Sequence, residues 1–384
     1  MANISDYLDW RGDIPFTADP FNEVDNLILS ELAYTNFEGI VPDNGLDDFV
    51  DIKDVCKIFF EKYTDEEIMA QNSSTKVAPF LMKKMIDGVR FNSVKLCCYI
   101  NDIDQDKQSQ FSVVTYILPD GSYFVAFRGT DNTIVGWKED FNMSFMYETE
   151  GQLRAAEYLN AHFKGLFKKL RVGGHSKGGN FAVFASAFCE PDISRKIINV
   201  YCNDGPGFLP EIMKKEGYQN IKPKVISTLP EESVVGILLE NEMDNRFVLS
   251  SQKGPMQHDP MSWQVLRNRF VLTENLKESS VMLDKTLKNW IYSLKPEERK
   301  EFVDTLFGIL ESSGALTLDE LTNNKMKSMQ EMSKFLKDLS PEQQTMMGEV
   351  IKRFISSGNA TIATTMQSNM DEFQNRLHSF LRNN

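Results

Sequence analysis

The chain has 384 residues, a hydrophobic fraction of 41% with 27 Phe, and a formal net charge of −13. That length accommodates one large globular domain with an appendage, and the acidic balance excludes a nucleic-acid role. The five cysteines (Cys56, Cys97, Cys98, Cys189, Cys202) show neither C-x-x-C nor zinc spacing, so they read as reduced thiols in a cytoplasm.

The N-terminus, MANISDYLDWRGDIPF, lacks the basic and apolar regions of a signal peptide, and no run approaches the roughly 18–20 apolar residues of a membrane span. Residues 1–93 read as mixed and mostly helical. FNEVDNLILSELAY (21–34) sets Val24, Leu27, Ile28 and Leu32 at helical spacing, which predicts an amphipathic helix. VDIKDVCKIFFEKY (50–63) and APFLMKKMIDGV (78–89) follow the same pattern, and TDEEIMAQNSST between them is polar and expected to be exposed. VKLCCYI (94–100), FSVVTYIL (111–118) and SYFVAF (122–127) are short, β-branched or aromatic runs. Pro119-Asp120-Gly121 predicts that the last two form a hairpin. The acidic stretch NDIDQDKQS lacks the Gly and Glu of a calcium loop and reads as a polar turn.

GQLRAAEYLNAHFKGLFKKL (151–170) predicts a long helix that feeds a short strand, RVGG. KGGNFAVFASAFC then predicts a helix. Three strand-like runs follow, KIINVYCN (196–203), KPKVISTL (222–229) and RFVLSS (246–251). Antiparallel strands early, then strands alternating with helices, imply an α/β fold with a mostly parallel central sheet flanked by helices. Past residue 275 the chain reads as almost pure helix. WIYSLKPEERKEFVDTLFGILESSGALT (290–317) resembles FLKDLSPEQQTMMGEVIKRFISSGNATI (335–362), each with a Pro-Glu start and an SSG stop. The expected division is an α/β domain over 1–275, its N-terminal helical segment included, and a helical appendage with a two-fold repeat over 276–384.

GGHSKGG (173–179) holds G-x-S-x-G between a strand and a helix. A nucleophile elbow needs small residues on both sides of the serine, because the turn is sharp and the helix packs close. Ser176 is therefore the candidate nucleophile; the alternative is a phosphate-binding or purely structural turn, although no P-loop or dinucleotide motif is present. A serine needs a base, and the chain has four histidines. His175 is expected to point away on the elbow, His162 lies in a helix and His378 in the terminal tail. His258, in the loop after RFVLSS, fits the order Ser, acid, His. Candidate acids are Asp204, after KIINVYCN, and Glu231 or Glu232, after KVISTLP. The backbone N–H of Lys177 and the residue Thr130, in the loop Arg128-Gly129-Thr130, are the candidate oxyanion donors.

AFRGTDNTIVGWKEDFNMSF (126–145) is similar to the segment of class 3 (fungal-type) lipases that carries R-G-[ST], a Trp and then an Asp three residues on, here Trp137 and Asp140. GGHSKGGN resembles their elbow, and ISTLPEESVVGIL the segment bearing their catalytic Asp. The resemblance implies an α/β-hydrolase fold, with Thr130 an oxyanion donor and Asp140 structural. At the family's acid position this chain has Ser233, preceded by Glu232, so either Glu232 serves, or Asp204 takes over, or the acid is lost. YLDWRGDIPF, PFNEVDNLILSELAY and MQHDPMSW extend the likeness to a family of cytoplasmic bacterial hydrolase-fold proteins related to these lipases, over roughly residues 1–270.

The expected activity is hydrolysis of carboxylic esters, lipid esters included, through an acyl-enzyme on Ser176, with no cofactor and no metal. The alternative is a catalytically weak or inactive hydrolase fold acting as a binding or scaffold module, motivated by the unsettled acid. The C-terminal helices are then the expected surface for a homo-oligomer or protein partner.

Overall fold

The computed structural model describes all residues but 72, 74, 132, 318, 319, 321–329, 333, 336, 337 and 358–384, and of 351–357 the backbone alone. It divides into two compact units, residues 1–131 with 147–277, and residues 132–146 with 278–384. The segment 132–146, expected within the first domain, thus packs with the helical part.

In the first unit the N-terminal helices are α1 (Ile4–Arg11), α2 (Glu23–Leu32), α3 (Ile52–Lys62), α4 (Asp65–Ala70) and α5 (Phe80–Asp87). The polar stretch before α5 is not wholly exposed: Thr64 and Glu67 form a capping box that starts α4, and Ile68 is buried. α2 is not amphipathic, since every residue from Val24 to Leu32 is buried. Its polar side chains are used instead. Asp25 meets Arg90, and Asn26 donates to Asn203 at 3.0 Å.

The strands are β1 (Phe49–Asp51), β2 (Lys95–Asp104), β3 (Ser109–Ile117), β4 (Tyr123–Phe127), β5 (Leu170–His175), β6 (Ile197–Asn203), β7 (Val225–Pro230) and β8 (Asn245–Val248). β9 (Val265–Leu266) pairs with β10 (Arg269–Phe270), and β11 (Leu272–Thr273) pairs with β8. The main sheet has nine strands in the order β1-β2-β3-β4-β5-β6-β7-β8-β11. It is mixed rather than mostly parallel. β4 to β8 run parallel, while β1 to β4 and the β8–β11 edge are antiparallel. The cause is connection length: the short turns joining β2, β3 and β4 allow only antiparallel pairing, and the parallel strands require crossovers. The expected hairpin of β3 and β4 is present.

The helix α7 (Glu150–Phe163) stops well before residue 170, because Lys164 is extended and Gly165 takes φ 75°. Its buried face and that of α8 (Lys177–Phe188) pack together. α8 is buried from Lys177 to Ala187.

One buried ion pair ties the N-terminal segment together. Arg90 Nε donates to Asp25 Oδ1 at 2.7 Å and Nη2 to Oδ2 at 2.5 Å, both side chains fully buried. The remaining guanidinium protons reach the carbonyls of Ile14, Asp19 and Pro20, and Tyr7 donates to Asp25 Oδ1 at 2.9 Å. Every donor of this guanidinium and both oxygens of this carboxylate are thereby satisfied.

The second unit contains α6 (Ile134–Asn142) and three long helices, Glu278–Ser293, Pro296–Glu311 and Pro341–Ser357. Ile134, Leu294, Phe302, Val303, Phe307 and Val350 form its core. The first repeat copy has Pro296 at its helix start and Gly314 at φ 74° past its end. The second begins at Pro341, and its Gly358 and the residues after it, His378 among them, lie outside the described residues. No described helix is long and apolar enough to cross a membrane.

Removing one partner of a buried ion pair leaves the other uncompensated. Arg90→Ala should therefore lower stability by about 3–5 kcal/mol in urea unfolding, whereas a loss under ~1 kcal/mol would mean that Asp25 finds another partner.

Candidate active site

Parallel strands deliver their following loops to one edge of a sheet, which is where open α/β sheets place their ligands. Here the loops after β4, β5, β6 and β7 emerge at that edge, and each of the last three is bonded to the next strand in order. Ser176 N–H donates to Asn203 O at 2.9 Å, Asp204 N–H to Thr228 O at 2.8 Å, and Glu231 N–H to Val248 O at 3.0 Å. Arg128, Ser176, Asp204 and Glu232 are thus neighbouring loop positions on one rim.

Ser176 sits between β5 and α8 with φ 58° and ψ −134°. A non-glycine residue in this conformation is strained by roughly 1–3 kcal/mol and persists only where its surroundings enforce it. The glycines supply the enforcement. A Cβ on Gly178 would lie 2.0 Å from the Phe127 carbonyl oxygen, and one on Gly174 would lie 2.3 Å from the Gly178 carbonyl carbon. Asn203 locks the strand end from below by donating to Gly174 O at 2.9 Å. Ser176 retains 8% exposure, and among the described residues its Oγ makes no hydrogen bond.

His258 closes a tight turn, Gly254–His258, after β8. Its Nδ1–H donates to Asp204 Oδ2 at 2.6 Å. Asp204 follows β6 with φ 48°, a left-handed conformation that Asp tolerates better than most residues. Its carboxylate is fully buried, and Oδ1 accepts from Ser233 Oγ at 2.5 Å and from Gly236 N–H at 3.0 Å. Gly236 is required for that approach, since a Cβ there would stand 2.4 Å from Oδ1. Asn180 on α8 braces the same loop, donating to Pro206 O at 3.1 Å and Gly207 O at 2.9 Å, and accepts from Gln152 at 2.8 Å. His258 is 28% exposed at its side chain, and its Nε2 takes no partner among the described residues.

His175 does not point away from this group. Its ring lies 4.4 Å from that of His258, and its Nε2–H donates to His258 O at 2.8 Å. Burial, and secondarily His258, hold His175 well below the usual histidine range, so it is neutral. With the proton on Nε2, Nδ1 is the acceptor for the Tyr34 hydroxyl at 3.1 Å. His175 therefore anchors the turn that presents His258. Sequence order concealed this, because the reach runs through a backbone carbonyl.

The structure does not bring Glu232 to His258. Glu232 Oε1 pairs with Lys277 Nζ at 2.5 Å and its Oε2 accepts from Gly254 N–H; Glu231 pairs with the same lysine at 2.9 Å. Glu232 N–H also donates to Gln257 Oε1 at 2.9 Å, so this pair fastens the base of the histidine turn. Lys277 and Gly254 hold Glu232 below the usual carboxylate range.

Lys177 opens α8, where the first N–H groups have no intrahelical acceptor. Its side chain runs inward, is buried, and donates to Gln110 O at 3.2 Å and Oε1 at 3.1 Å on β3. The Thr130 loop abuts the serine: a Cβ on Gly129 would lie 2.2 Å from the Tyr34 hydroxyl and 3.0 Å from Ser176 Cβ. Trp137 and Asp140 both fall on α6 in the second unit. No group of three or more His, Cys, Asp or Glu among the described residues is placed to hold a metal ion.

His175 makes a pH signature. Between its depressed native value and the ordinary value near 6.5, the unfolded chain binds a proton that the folded chain refuses. Stability should fall as pH drops below about 6.5, by up to ~1.4 kcal/mol per pH unit from this group. Urea unfolding from pH 7.5 to 5 should show a shallower fall in His175→Gln than in the native protein; parallel curves would contradict the neutral, buried assignment.

Among curated proteins, none matches the sequence. A crystal structure titled as that of M37 lipase aligns with 46% of this chain and 70% of that one, at 15% identity and a TM-score of 0.32, a likeness too weak to assign a fold. The family model described as Mbeg1-like matches residues 85–308, more than half of the 384 residues, and the chain belongs to the Mbeg1-like family.

Proposed function

We propose that the protein is a lipase-like serine hydrolase on an α/β-hydrolase-type sheet, cleaving carboxylic esters through an acyl-enzyme on Ser176. The observation that carries this reading is the 2.6 Å bond from His258 to Asp204 on the same sheet rim as the strained elbow of Ser176. Because Nδ1 carries the proton given to Asp204, Nε2 is the basic nitrogen of His258. It takes the Ser176 proton as Oγ attacks the ester carbonyl. Apo enzymes commonly leave that serine–histidine contact long until substrate arrives.

As the tetrahedral intermediate forms, negative charge develops on the former carbonyl oxygen. The Lys177 N–H, at the positive end of α8, and Thr130 are the donors assigned to it. Collapse expels the alcohol, which takes the proton back from His258. Water, deprotonated by the same nitrogen, then releases the acid. Asp204 keeps the imidazole in the required tautomer and stabilises its charged form, while Ser233 and Gly236 fix the carboxylate.

Kinetics on a p-nitrophenyl ester test the assignment of the acid. Asp204→Asn should lower kcat by about 10⁴-fold, the scale known when this tautomer control is lost. Glu232→Gln should leave kcat/KM within about fivefold, since the Lys277 pair is half-exposed and worth at most ~1 kcal/mol. The reverse ranking would move the acid to Glu232.

A further inference from the structure

β2 carries adjacent cysteines that the proposed reaction does not use. In a regular strand, neighbouring side chains point to opposite faces. Here the pairing of β2 with β3 slips: Cys97 stands opposite Thr115 and Ile100 opposite Val113. Cys98 and Tyr99 together therefore face Val114, which is a β-bulge. Cys98 takes φ 52°, in the left-handed region that side-chain-bearing residues seldom adopt. The bulge brings both thiols together. The Cys97 thiol and the His162 ring are the groups that favour the Cys98 thiolate.

Neighbouring groups hold this arrangement. Tyr158 donates its proton to Cys98 O at 2.9 Å, so Thr115 Oγ1, 2.7 Å away, is the donor to Tyr158. The Tyr158 and His162 rings lie 4.5 Å apart on α7. Cys97 Sγ donates weakly to Thr115 O at 3.8 Å. Both cysteines are buried, and His162 is half-buried.

We propose that Cys97 and Cys98 are a redox-responsive vicinal dithiol, which hydrogen peroxide closes to a disulfide with Cys98 attacking and His162 accepting its proton. The Cys97 thiol, followed by the His162 ring, holds Cys98 below the usual thiol range, and the same contact pushes Cys97 up. The thiolate, not the thiol, is the nucleophile. Cys98 sulfur attacks one peroxide oxygen and the O–O bond breaks. Cys98 becomes a sulfenic acid, oxidised by two electrons, and the departing hydroxide takes the proton from His162 to leave as water. The Cys97 sulfur then attacks the Cys98 sulfur. The S–S bond forms, the S–O bond breaks, and the Cys97 proton leaves with the hydroxyl as a second water. Two thiols and one peroxide thus give one disulfide and two waters.

Adjacent Cα atoms are about 3.8 Å apart across a trans peptide, short of the usual disulfide span of roughly 4.4–6.8 Å. The closed ring is therefore strained and readily reduced, which suits a reversible site rather than a structural one. The test is mass spectrometry of the full chain after peroxide treatment and alkylation. Tryptic cleavage isolates LCCYINDIDQDK, which contains only these two cysteines. Its mass should fall by two hydrogens, resist alkylation, and recover with dithiothreitol. His162→Asn should slow closure by about tenfold or more, the effect of one pKa unit on thiolate content. Cys97→Ala should stop at a Cys98 sulfenic acid that dimedone traps. A native peptide that still takes two alkyl groups, or one oxidised to sulfinic acid at Cys98 with Cys97 alkylatable, would overturn the proposal. So would an unchanged rate in folded His162→Asn.

Discussion

The geometry at the rim depends on a single steric constraint, the absence of side-chain atoms where β4, β5 and α8 converge. A Cβ at Gly178 would come within 2.0 Å of the Phe127 carbonyl oxygen, so only glycine lets α8 begin that close to β4. That closeness forces the turn at Ser176 into its positive φ. It also sets the first N–H groups of α8 beside the serine and lays the Gly129 loop against Ser176 Cβ. Interfering with any of these glycines would move Ser176 and the proposed oxyanion donors together.

In the proposed mechanism the acid comes from a different loop from the one that the sequence resemblance implies. The carboxylate at His258 comes from the end of β6, not from the loop after β7, where the class 3 lipase resemblance places an acid. Ser233 stands at that second position and donates to Asp204 instead of to solvent. Asn180 and Gln152 brace the Asp204 loop from α8 and α7. Glu232, on the same rim, has a structural task with Lys277 and the histidine turn. A buried carboxylate with three donors is better fixed in place than one paired with a solvent-facing lysine.

Much of this was legible in local sequence. The hairpin, the elbow, the helix after it and the helical C-terminal part follow from periodicity and from Gly and Pro placement. Elimination among four histidines pointed to His258, because its loop follows the last parallel strand and so emerges at the rim. What local sequence did not contain were contacts made across long separations. The choice of Asp204 over Glu232 depends on which loop end faces His258, a matter of strand register. The role of His175 depends on a carbonyl 83 residues away. The full burial of α2 is also tertiary, since Asp25 and Asn26 find their partners in Arg90 and Asn203, far away in sequence. The sheet proved mixed because connection lengths, rather than strand composition, decide direction.

The central claim is that Ser176 is an activated nucleophile. The most direct measurement is covalent labelling with a fluorophosphonate, located by tandem mass spectrometry and compared with folded Ser176→Ala and His258→Ala. The account predicts a single phosphonylated residue, Ser176, in the native protein and no labelling in either variant. Folded native protein that leaves Ser176 unlabelled, or labelling that survives in His258→Ala at the native rate, would contradict it.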